Sequence, residues 1–315
     1  MRVAPLASPT PHAVLSAFAP AGPEAATLLG LFWLMAIGAT VVWVAVLAIA
    51  WFAARRDRQP LRHARWLILA GGVIAPTLVL TALLGHGLWL MPRVRAAVPD
   101  DALRVSVSGE QWWWRVHYAA AGVETANEIR IPVGKPVALT LTSPDVIHSF
   151  WVPALAGKMD MIPGRSNTLV LQADKAGTYR GACAEYCGAS HAQMRFLVVA
   201  MPPRAFDAWL QAQAGPASAP TSPLALQGRA AFLRNGCGGC HTVRGTAANG
   251  RVGPDLTHVG TRLELAAGAL PNDAQSLRHW IERPHASKPD ALMPRFDMLP
   301  STEVGAIAGW LEGLQ

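Results

Sequence analysis

Two cysteines stand four residues apart in the stretch CAEYCGASHAQM, which covers positions 183 to 194. His191 follows the second cysteine by four residues, and Met194 comes three residues later. Thiolate, imidazole and thioether ligands suit copper or zinc, and cysteines this close could also form a disulfide in an oxidising compartment. Zinc would have little use for Met194, and a disulfide would explain neither His191 nor Met194. The stretch alone leaves these three chemistries open.

A second cysteine pair forms the motif C-x-x-C-H, with Cys237, Cys240 and His241 in the three defined positions. This spacing is typical of covalent attachment of a c-type haem. Two thiols on one helical turn can add to the two vinyl groups of one porphyrin, and the adjacent histidine then lies under the iron. A thioredoxin-like pair would lack the histidine, and no further cysteine follows to complete a zinc site. The motif therefore predicts a haem c.

Two long apolar stretches near the N-terminus predict membrane-spanning helices. Residues 25–54 contain no charged residue, and residues 66–92 contain His86 as their only ionisable group; about 20 apolar residues are enough to span. Five arginines and one aspartate lie between the stretches, at positions 55–65, which predicts a cytoplasmic connector. Much of the net charge of +7 is concentrated there, and no basic stripe suggests nucleic acid. Spans at about 27–53 and 66–91 are expected.

The rest of the chain divides by composition. Residues 1–24 are either an uncleaved extension or a cleavable signal peptide. Residues 93–213 predict an all-β domain, an antiparallel sandwich or small barrel, followed by a short helix at 203–213. Its seven predicted strands are 105–108, 112–118, 128–132, 137–143, 168–172, 177–181 and 195–201. The stretch AGPASAPTSP at 214–223 predicts an extended, mobile linker, and residues 224–315 have a helical pattern.

This last part resembles the class I cytochromes c. A helix, the C-x-x-C-H motif, the stretch Gly-Pro-Asp-Leu at 253–256, Met293 followed by proline, and a terminal helix occur in the order of that family. The resemblance implies an all-α cytochrome c domain in which Pro254 supports the ring of His241. It also implies Met293 as the second axial ligand, with Met298 as the competing candidate.

The middle of the chain is similar to subunit II of the haem–copper oxidases. His148 opens H-S-F-x-x-P, the pattern K-x-D-x-x-P-G-R follows, and C-x-E-x-C-G-x-x-H-x-x-M completes the match. Two N-terminal spans before such a domain also fit, so the resemblance covers about residues 25–213. With the cytochrome c domain behind it, the whole chain resembles the caa3-type subunit. The implied architecture is a two-helix transmembrane hairpin, a cupredoxin-like barrel or sandwich, and a cytochrome c domain.

The resemblance implies a binuclear copper centre, CuA. Its implied ligands are His148, Cys183, Cys187, His191, Met194 and the backbone carbonyl of Glu185. The carboxylate of Glu185 is implied to reach a Mg²⁺ or Mn²⁺ ion shared with subunit I. In the pattern G-x-Q-W-x-W, Trp112 is expected at the surface near the copper, where electrons enter. Trp114 is expected on the same side, and Trp113 is expected to pack inward.

The implied function is electron transfer in a terminal oxidase that reduces oxygen to water and translocates protons. Electrons would come from cytochrome c or the bc1 complex, pass through the haem c and CuA, and reach subunit I, in a complex that includes subunit III. The expected location is the bacterial inner membrane, multi-pass, with both cofactor domains on the periplasmic side. The second span lacks the carboxylate that many relatives carry, so a proton-uptake role is not supported.

Three related functions share parts of this pattern. The same subunit could serve a nitric oxide reductase. A nitrous oxide reductase would need a large histidine-rich propeller, which this sequence does not show. A quinol oxidase subunit II keeps the fold but lacks the copper ligands, so Cys183 and Cys187 argue against it.

Overall fold

The computed structural model describes residues 13–55, 64–94 and 97–315. These form two compact units. One consists of residues 26–97, and the other combines the N-terminal residues up to Ala25 with residues 98–315.

The smaller unit is built from apolar helices. Helix α1 (Pro23–Arg55) is followed by α2 (Ala64–Leu69), a π-helical turn (Ala70–Ile74) and α3 (Ala75–Val94). The two apolar segments, Pro23–Arg55 and Ala64–Pro92, are 33 and 29 residues long, and their most apolar parts have no buried residue. Outward-facing apolar side chains over such lengths suit a lipid environment. Most of the arginine-rich connector lies outside the described residues.

The β-domain contains ten strands in two five-stranded sheets. The strands are β1 (Leu103–Glu110), β2 (Trp113–Tyr118), β3 (Val123–Ala126), β4 (Glu128–Pro132), β5 (Val137–Thr142), β6 (His148–Trp151), β7 (Met159–Met161), β8 (Asn167–Leu171), β9 (Gly177–Cys183) and β10 (Arg195–Met201). One sheet has the order β3-β2-β1-β5-β8, and the other has the order β4-β10-β9-β6-β7. Their inward side chains share one apolar core, which makes the domain a sandwich.

The predicted strands and the observed strands differ in two respects. Each of the seven predicted strands overlaps an observed one, but β3, β6 and β7 were not predicted. The purely antiparallel prediction was wrong, because β1 pairs with β5 and β4 pairs with β10 in parallel. The second parallel pair places β10 between β4 and β9, and β9 and β10 flank the predicted copper loop.

The tryptophan triplet has a different register from the one predicted. Strand β2 begins at Trp113, so Trp114 points into the core, where it is 0% exposed and packs against Phe150 and Phe196. Trp113 faces outward, with the guanidinium of Arg115 4.6 Å from its ring centre. The prediction that Trp113 packs inward and Trp114 lies at the surface was therefore wrong. Successive residues of a strand point to opposite faces of the sheet, and in β2 the first residue, Trp113, is on the outer face.

The segment before α1 is part of the β-domain. Val14 donates its backbone N–H to Thr178, and its carbonyl accepts from the N–H of Arg180, at 3.0 and 3.1 Å. These bonds fill the side of β9 that β6 leaves open, since β6 pairs only with the end of β9. Ala21 makes further backbone bonds to Ala154 and Asp174. The chain therefore reaches α1 from a fixed position on the sandwich.

Helices form the C-terminal part. After α4 (Pro203–Ala214) come α5 (Pro223–Arg234), α6 (Ala274–Glu282), α7 (Pro284–Ser287) and α8 (Ser301–Glu312), with a short hairpin of β11 (Glu264–Leu265) and β12 (Leu270–Pro271) before α6. Helices α5 and α8 approach closely at Gly228, where a β-carbon would lie 2.0 Å from the carbonyl oxygen of Ala306. The aromatic rings of Phe232 and Trp310 meet beside this crossing. This core is separate from that of the sandwich.

The segment between the two domains is held in place. The N–H of Ala217 donates to the carbonyl of Arg244, and Arg244 in turn donates to the carbonyls of Gln213 and Ala214. Ser218 donates to the carbonyl of Gln315 at 3.1 Å. These hydrogen bonds give the segment defined polar partners that the sequence pattern does not reveal, and its mobility stays a prediction.

Candidate metal centre and haem attachment site

His148 and Cys183 meet because β6 and β9 are neighbours. Phe150 pairs with Cys183 in the ladder, and this register brings His148 Nδ1 within 3.8 Å of Cys183 Sγ. The imidazole is fully buried, and its Nε2 lies 2.8 Å from a carboxylate oxygen of Asp145. A hydrogen bond at Nε2 leaves Nδ1 free for a metal ion. A β-carbon at Gly109 would lie 3.1 Å from the ring, so glycine leaves room for it.

The loop between β9 and β10 brings the other predicted ligands to the same place. Cys187 Sγ lies 3.5 Å from His191 Nδ1 and 3.7 Å from Met194 Sδ. The loop closes where the N–H of Cys183 donates to the carbonyl of Met194. Gly188 has a φ of +113°, a backbone conformation that favours glycine. The loop therefore folds back on itself and gathers two sulfur ligands and an imidazole.

The two cysteines are free thiols that share a polar site. The ligating atoms of His148, Cys183 and Cys187 all lie within 4.8 Å of one another. The hydrogen bond from Cys187, assisted by His148, lowers the pKa of the Cys183 thiol to about 4. The same pairing raises the pKa of the Cys187 thiol, because the first thiolate disfavours a second. A metal ion between them would replace the remaining proton, so the ligand set fits a soft cation such as copper.

Glu185 turns its two oxygen-bearing groups in different directions. Its backbone carbonyl lies 3.1 Å from Cys183 Sγ, while its half-exposed carboxylate lies 3.9 Å from the ammonium group of Lys158. Lys158 also pairs with Asp160 at 2.9 Å. The carbonyl therefore joins the thiol cluster, and the carboxylate points to a separate, charged surface.

Trp112 lies directly against the thiol loop. Its indole N–H donates to the carbonyl of Cys187 at 2.9 Å, and the side-chain amide of Gln111 donates to the same oxygen at 2.8 Å. The side chain is only 7% exposed, and its backbone carbonyl accepts a hydrogen bond from Lys288 of the helical domain. Trp112 is thus placed next to the predicted copper ligands, but not at the surface as predicted.

The C-x-x-C-H motif forms a tight turn in the helical domain. Cys237–Gly239 form a single turn of 3₁₀ helix. The N–H groups of Cys240 and His241 both donate to the Cys237 carbonyl, at 3.2 and 3.0 Å. Cys240 is exposed and Cys237 is partly exposed. Both sulfurs are therefore free thiols on one turn, as thioether attachment requires.

The histidine of the motif is oriented for iron binding. His241 Nδ1 lies 2.9 Å from the carbonyl oxygen of Pro254, which leaves Nε2 free, as metal-binding histidines require. Burial lowers the pKa of the imidazole and so favours the neutral form that binds a metal. The neighbouring Arg262 is partly buried and donates to the carbonyl of Asp255, but its buried Nε has no partner among the described residues. A haem, which carries carboxylates, would supply an acceptor here, so these residues fit a haem.

The two candidate axial methionines differ in their surroundings. Met293 is partly buried and packs against the core of the helical domain, whereas Met298 is 69% exposed. Burial favours Met293 as the ligand, since a thioether must reach the interior of the domain to approach His241.

Two residues of the site were not predicted. Asp145 orients His148 from three residues upstream, and its spacing could have suggested this role. Lys288 of the helical domain donates to the backbone carbonyl of Trp112 in the β-sandwich, and nothing in the sequence around it indicates that contact.

Two family profiles match the chain. Residues 119–201 match "Cytochrome C oxidase subunit II, periplasmic domain", and residues 225–315 match "Cytochrome c". The first match contains all six predicted copper ligands, and the second contains the C-x-x-C-H motif and Met293.

Similar proteins have corresponding names. Cytochrome c oxidase subunit 2 of Alkalihalophilus pseudofirmus is 39% identical over 218 residues, which cover 69% of this chain and 63% of that protein. The protein of the same name from Bacillus sp. is 35% identical over 222 residues, which cover 67% and 62%. The chain thus matches less than two thirds of the length of these relatives.

A solved structure, the periplasmic domain of subunit II of cytochrome oxidase from Bradyrhizobium japonicum, is 32% identical and covers 37% of this chain and 96% of its own, with a TM-score of 0.36. A score this low carries no weight for the fold. The two profiles, the named relatives and the gathered ligand set agree. The chain belongs to the cytochrome c oxidase subunit II family and carries a cytochrome c domain behind its β-sandwich.

Proposed function

We propose that this chain is the subunit through which electrons enter a haem–copper terminal oxidase. The observation that carries the proposal is the convergence of two free thiols, two imidazole nitrogens, a thioether and a carbonyl oxygen at one end of the sandwich. Electron transfer needs redox centres in fixed positions, and this ligand set is suited to copper.

Copper would be held by six residues of the β-sandwich. They are His148, Cys183, Glu185 through its carbonyl, Cys187, His191 and Met194. A binuclear copper centre held by two thiolates would supply a one-electron carrier. The chain contributes rigidity, because paired strands and the hydrogen-bonded loop hold the ligands before any metal binds.

Haem would be held by the helical domain. Cys237 and Cys240 would form the thioether bonds, and His241 and Met293 would be the axial ligands. Haem c with such ligation supplies a second one-electron carrier of raised potential. The Pro254 carbonyl orients the imidazole, and the packing of Met293 keeps the thioether out of solvent.

The proposed path runs through the chain to subunit I. Cytochrome c or the bc1 complex donates to the helical domain, Trp112 lies between this domain and the thiol loop, and the sandwich delivers the electron to subunit I. There oxygen is reduced to water and protons are translocated, in a complex with subunit III. The domain limits proposed for this path are 93–213 for the sandwich, 214–223 for the linker and 224–315 for the cytochrome c domain.

The membrane placement is also part of the proposal. The carboxylate of Glu24 accepts from the N–H of Gly157, and the N–H of Ala25 donates to the carbonyl of Leu155. Helix α1 therefore starts at the β-domain, which supports an N-terminus on the periplasmic side. With two spans, residues 25–92 form a multi-pass hairpin in the bacterial inner membrane.

A Mg²⁺ or Mn²⁺ ion shared with subunit I is proposed at the carboxylate of Glu185. The carboxylate is partly exposed, and hard cations favour such oxygen ligands. Its direction away from the thiols would let one residue serve two metal sites without competition between them.

The test uses reciprocal cysteine variants of the whole oxidase. Cys183→Ser should abolish the copper absorption and the cytochrome c oxidase activity while the covalent haem remains. As the matched control, Cys237→Ser together with Cys240→Ser should abolish the covalent haem while the copper absorption remains. A Cys183→Ser chain that keeps its copper absorption and its activity would disprove the copper assignment.

A further inference from the structure

One lysine joins the two redox domains at Trp112, beside the copper loop. Lys288 lies in the helical domain after α7, and its ammonium group donates to the carbonyl of Trp112 and, at 3.0 Å, to the carbonyl of Ala266. The side chain is only 4% exposed. The ammonium thus holds one backbone oxygen from each domain.

The surroundings of Lys288 make a purely structural role costly. No carboxylate pairs with its ammonium group among the described residues. Burying a charge without an opposite charge is unfavourable, and an apolar side chain would fill the same space more favourably. An apolar side chain would lack the directed hydrogen bond across the domain boundary to Trp112 and the bond to Ala266 within the helical domain.

The backbone on the helical side of this contact is strained. Ala266, Ala267 and Gly268 all have positive φ, at 50°, 58° and 79°, a region that alanine rarely adopts. Two of their carbonyls face the boundary: that of Ala266 accepts from Lys288, and that of Ala267 accepts from the N–H of Arg195 on β10. Such strain persists only where surrounding contacts enforce it, which indicates a specific contact rather than a loose one.

Lys288 also lies on the segment that connects the copper loop to the proposed haem ligand. Its neighbour Pro289 accepts a hydrogen bond from Ser190 of the copper loop. Met293 lies five residues after Lys288. Five residues span at most about 18 Å even when fully extended. The contact with Trp112 and the axial methionine are therefore close along one short segment.

Other contacts between the domains lie away from the copper loop. Arg180 of β9 pairs with Glu264 at 2.5 Å, and Glu128 accepts from the N–H of Leu263 at 2.9 Å. These contacts can keep the domains together without Lys288. Loss of Lys288 should therefore change the local position of residues 288–293 and not separate the domains.

We propose that Lys288 is a positioning residue for electron transfer, which holds the haem domain against Trp112 and the copper loop. This inference rests on the proposed function. The step is a one-electron transfer inside the chain: the haem domain is oxidised, the sandwich is reduced, and no bond is made or broken. Because Trp112 is buried and Lys288 of the helical domain binds its backbone carbonyl, we expect electrons to reach this tryptophan from the chain's own haem domain and not by collision with an outside protein.

The experiment measures internal electron transfer in the whole oxidase. A photoexcited ruthenium complex rapidly reduces the haem. The rate of transfer to copper is then measured from the decay of the reduced-haem absorption and the accompanying change in copper absorption. Lys288→Met should slow this transfer about tenfold, because losing hydrogen bonds from a charged group lowers the fraction of chains in which residues 288–293 keep their position. The static spectra of copper and haem should stay unchanged. Lys288→Arg, which keeps the cation, should restore part of the rate.

The matched control is Lys175→Met, which removes an exposed lysine of the sandwich and should transfer electrons at the wild-type rate. A wild-type rate in Lys288→Met with intact spectra would overturn the proposal. Loss of the copper spectrum in Lys288→Met would overturn it as well, since Lys288 would then build the copper loop. If the wild-type chain itself showed no transfer between haem and copper, the proposed function would fail, which is a separate outcome.

Discussion

Substitution of Gly253 by alanine should displace the haem-binding histidine. A β-carbon at this position would lie 2.5 Å from Cε1 and 2.8 Å from Nδ1 of His241. Ordinary carbon contacts are about 3.5–4.0 Å, so the imidazole would have to retreat by about 1 Å. That movement would break the hydrogen bond between Nδ1 and the Pro254 carbonyl, now 2.9 Å long.

The expected loss of stability combines two effects. Overpacking costs about 1–3 kcal/mol, and the lost hydrogen bond costs about 0.5–1.5 kcal/mol. The free energy of unfolding of the haem domain should therefore fall by about 1.5–4.5 kcal/mol. With a urea dependence of about 2 kcal/mol per molar, the unfolding midpoint should decrease by about 1–2 M.

The assay is urea unfolding of the purified chain, followed by haem absorption. Gly239→Ala is the matched control, because Gly239 lies within the C-x-x-C-H motif but a β-carbon there would meet nothing within 4 Å. The control should unfold at the wild-type midpoint. This expectation would be contradicted if Gly253→Ala and Gly239→Ala had the same urea midpoint and the same haem spectrum. The close packing of Gly253 against His241 would then not orient the imidazole.

Three further predictions concern the sandwich. Asp145→Asn weakens the support of His148 and should lower copper affinity about tenfold, measured by competition with a copper chelator; unchanged affinity would mean that Asp145 does not orient the imidazole. Trp112→Phe removes the indole bond to the Cys187 carbonyl, so the sandwich should lose about 0.5–1.5 kcal/mol in thermal unfolding, and an unchanged transition would contradict this contact. Deletion of residues 224–315 should slow electron input from cytochrome c but preserve the copper spectrum, because the two domains have separate cores; a lost spectrum would show that they fold together.

The strands could be predicted from the sequence where they are long or strongly apolar. Strand β10 is seven residues rich in valine and other apolar residues, and its bounds agree with the prediction. Strands β6 and β7 have four and three residues, too few to show alternation. Their pairing depends on neighbouring strands, and β6 carries His148, so a ligand predicted from a loop motif lies in a sheet.

More of the candidate site than of the packing around it could be predicted from the sequence. Spacing and resemblance predicted the sulfur and imidazole groups that the structure brings together, because residues on one loop have a fixed order along the chain. The pairing of Asp145 with His148 requires the turn before β6 to be known, and the contact of Lys288 with Trp112 joins residues 176 positions apart. Contacts of this kind depend on how two finished domains meet, which local pattern does not encode.

The segment around Val14 has a practical consequence for soluble fragments. Its backbone occupies the side of β9 at Thr178 and Arg180 that no strand of the sandwich covers. A fragment that begins after the second span would expose these hydrogen-bonding groups as an open edge, and open edges promote association between chains. Such a fragment should stay monomeric more readily when a peptide of residues 13–22 is added or fused, which makes the region ahead of the first span part of the copper-binding fold.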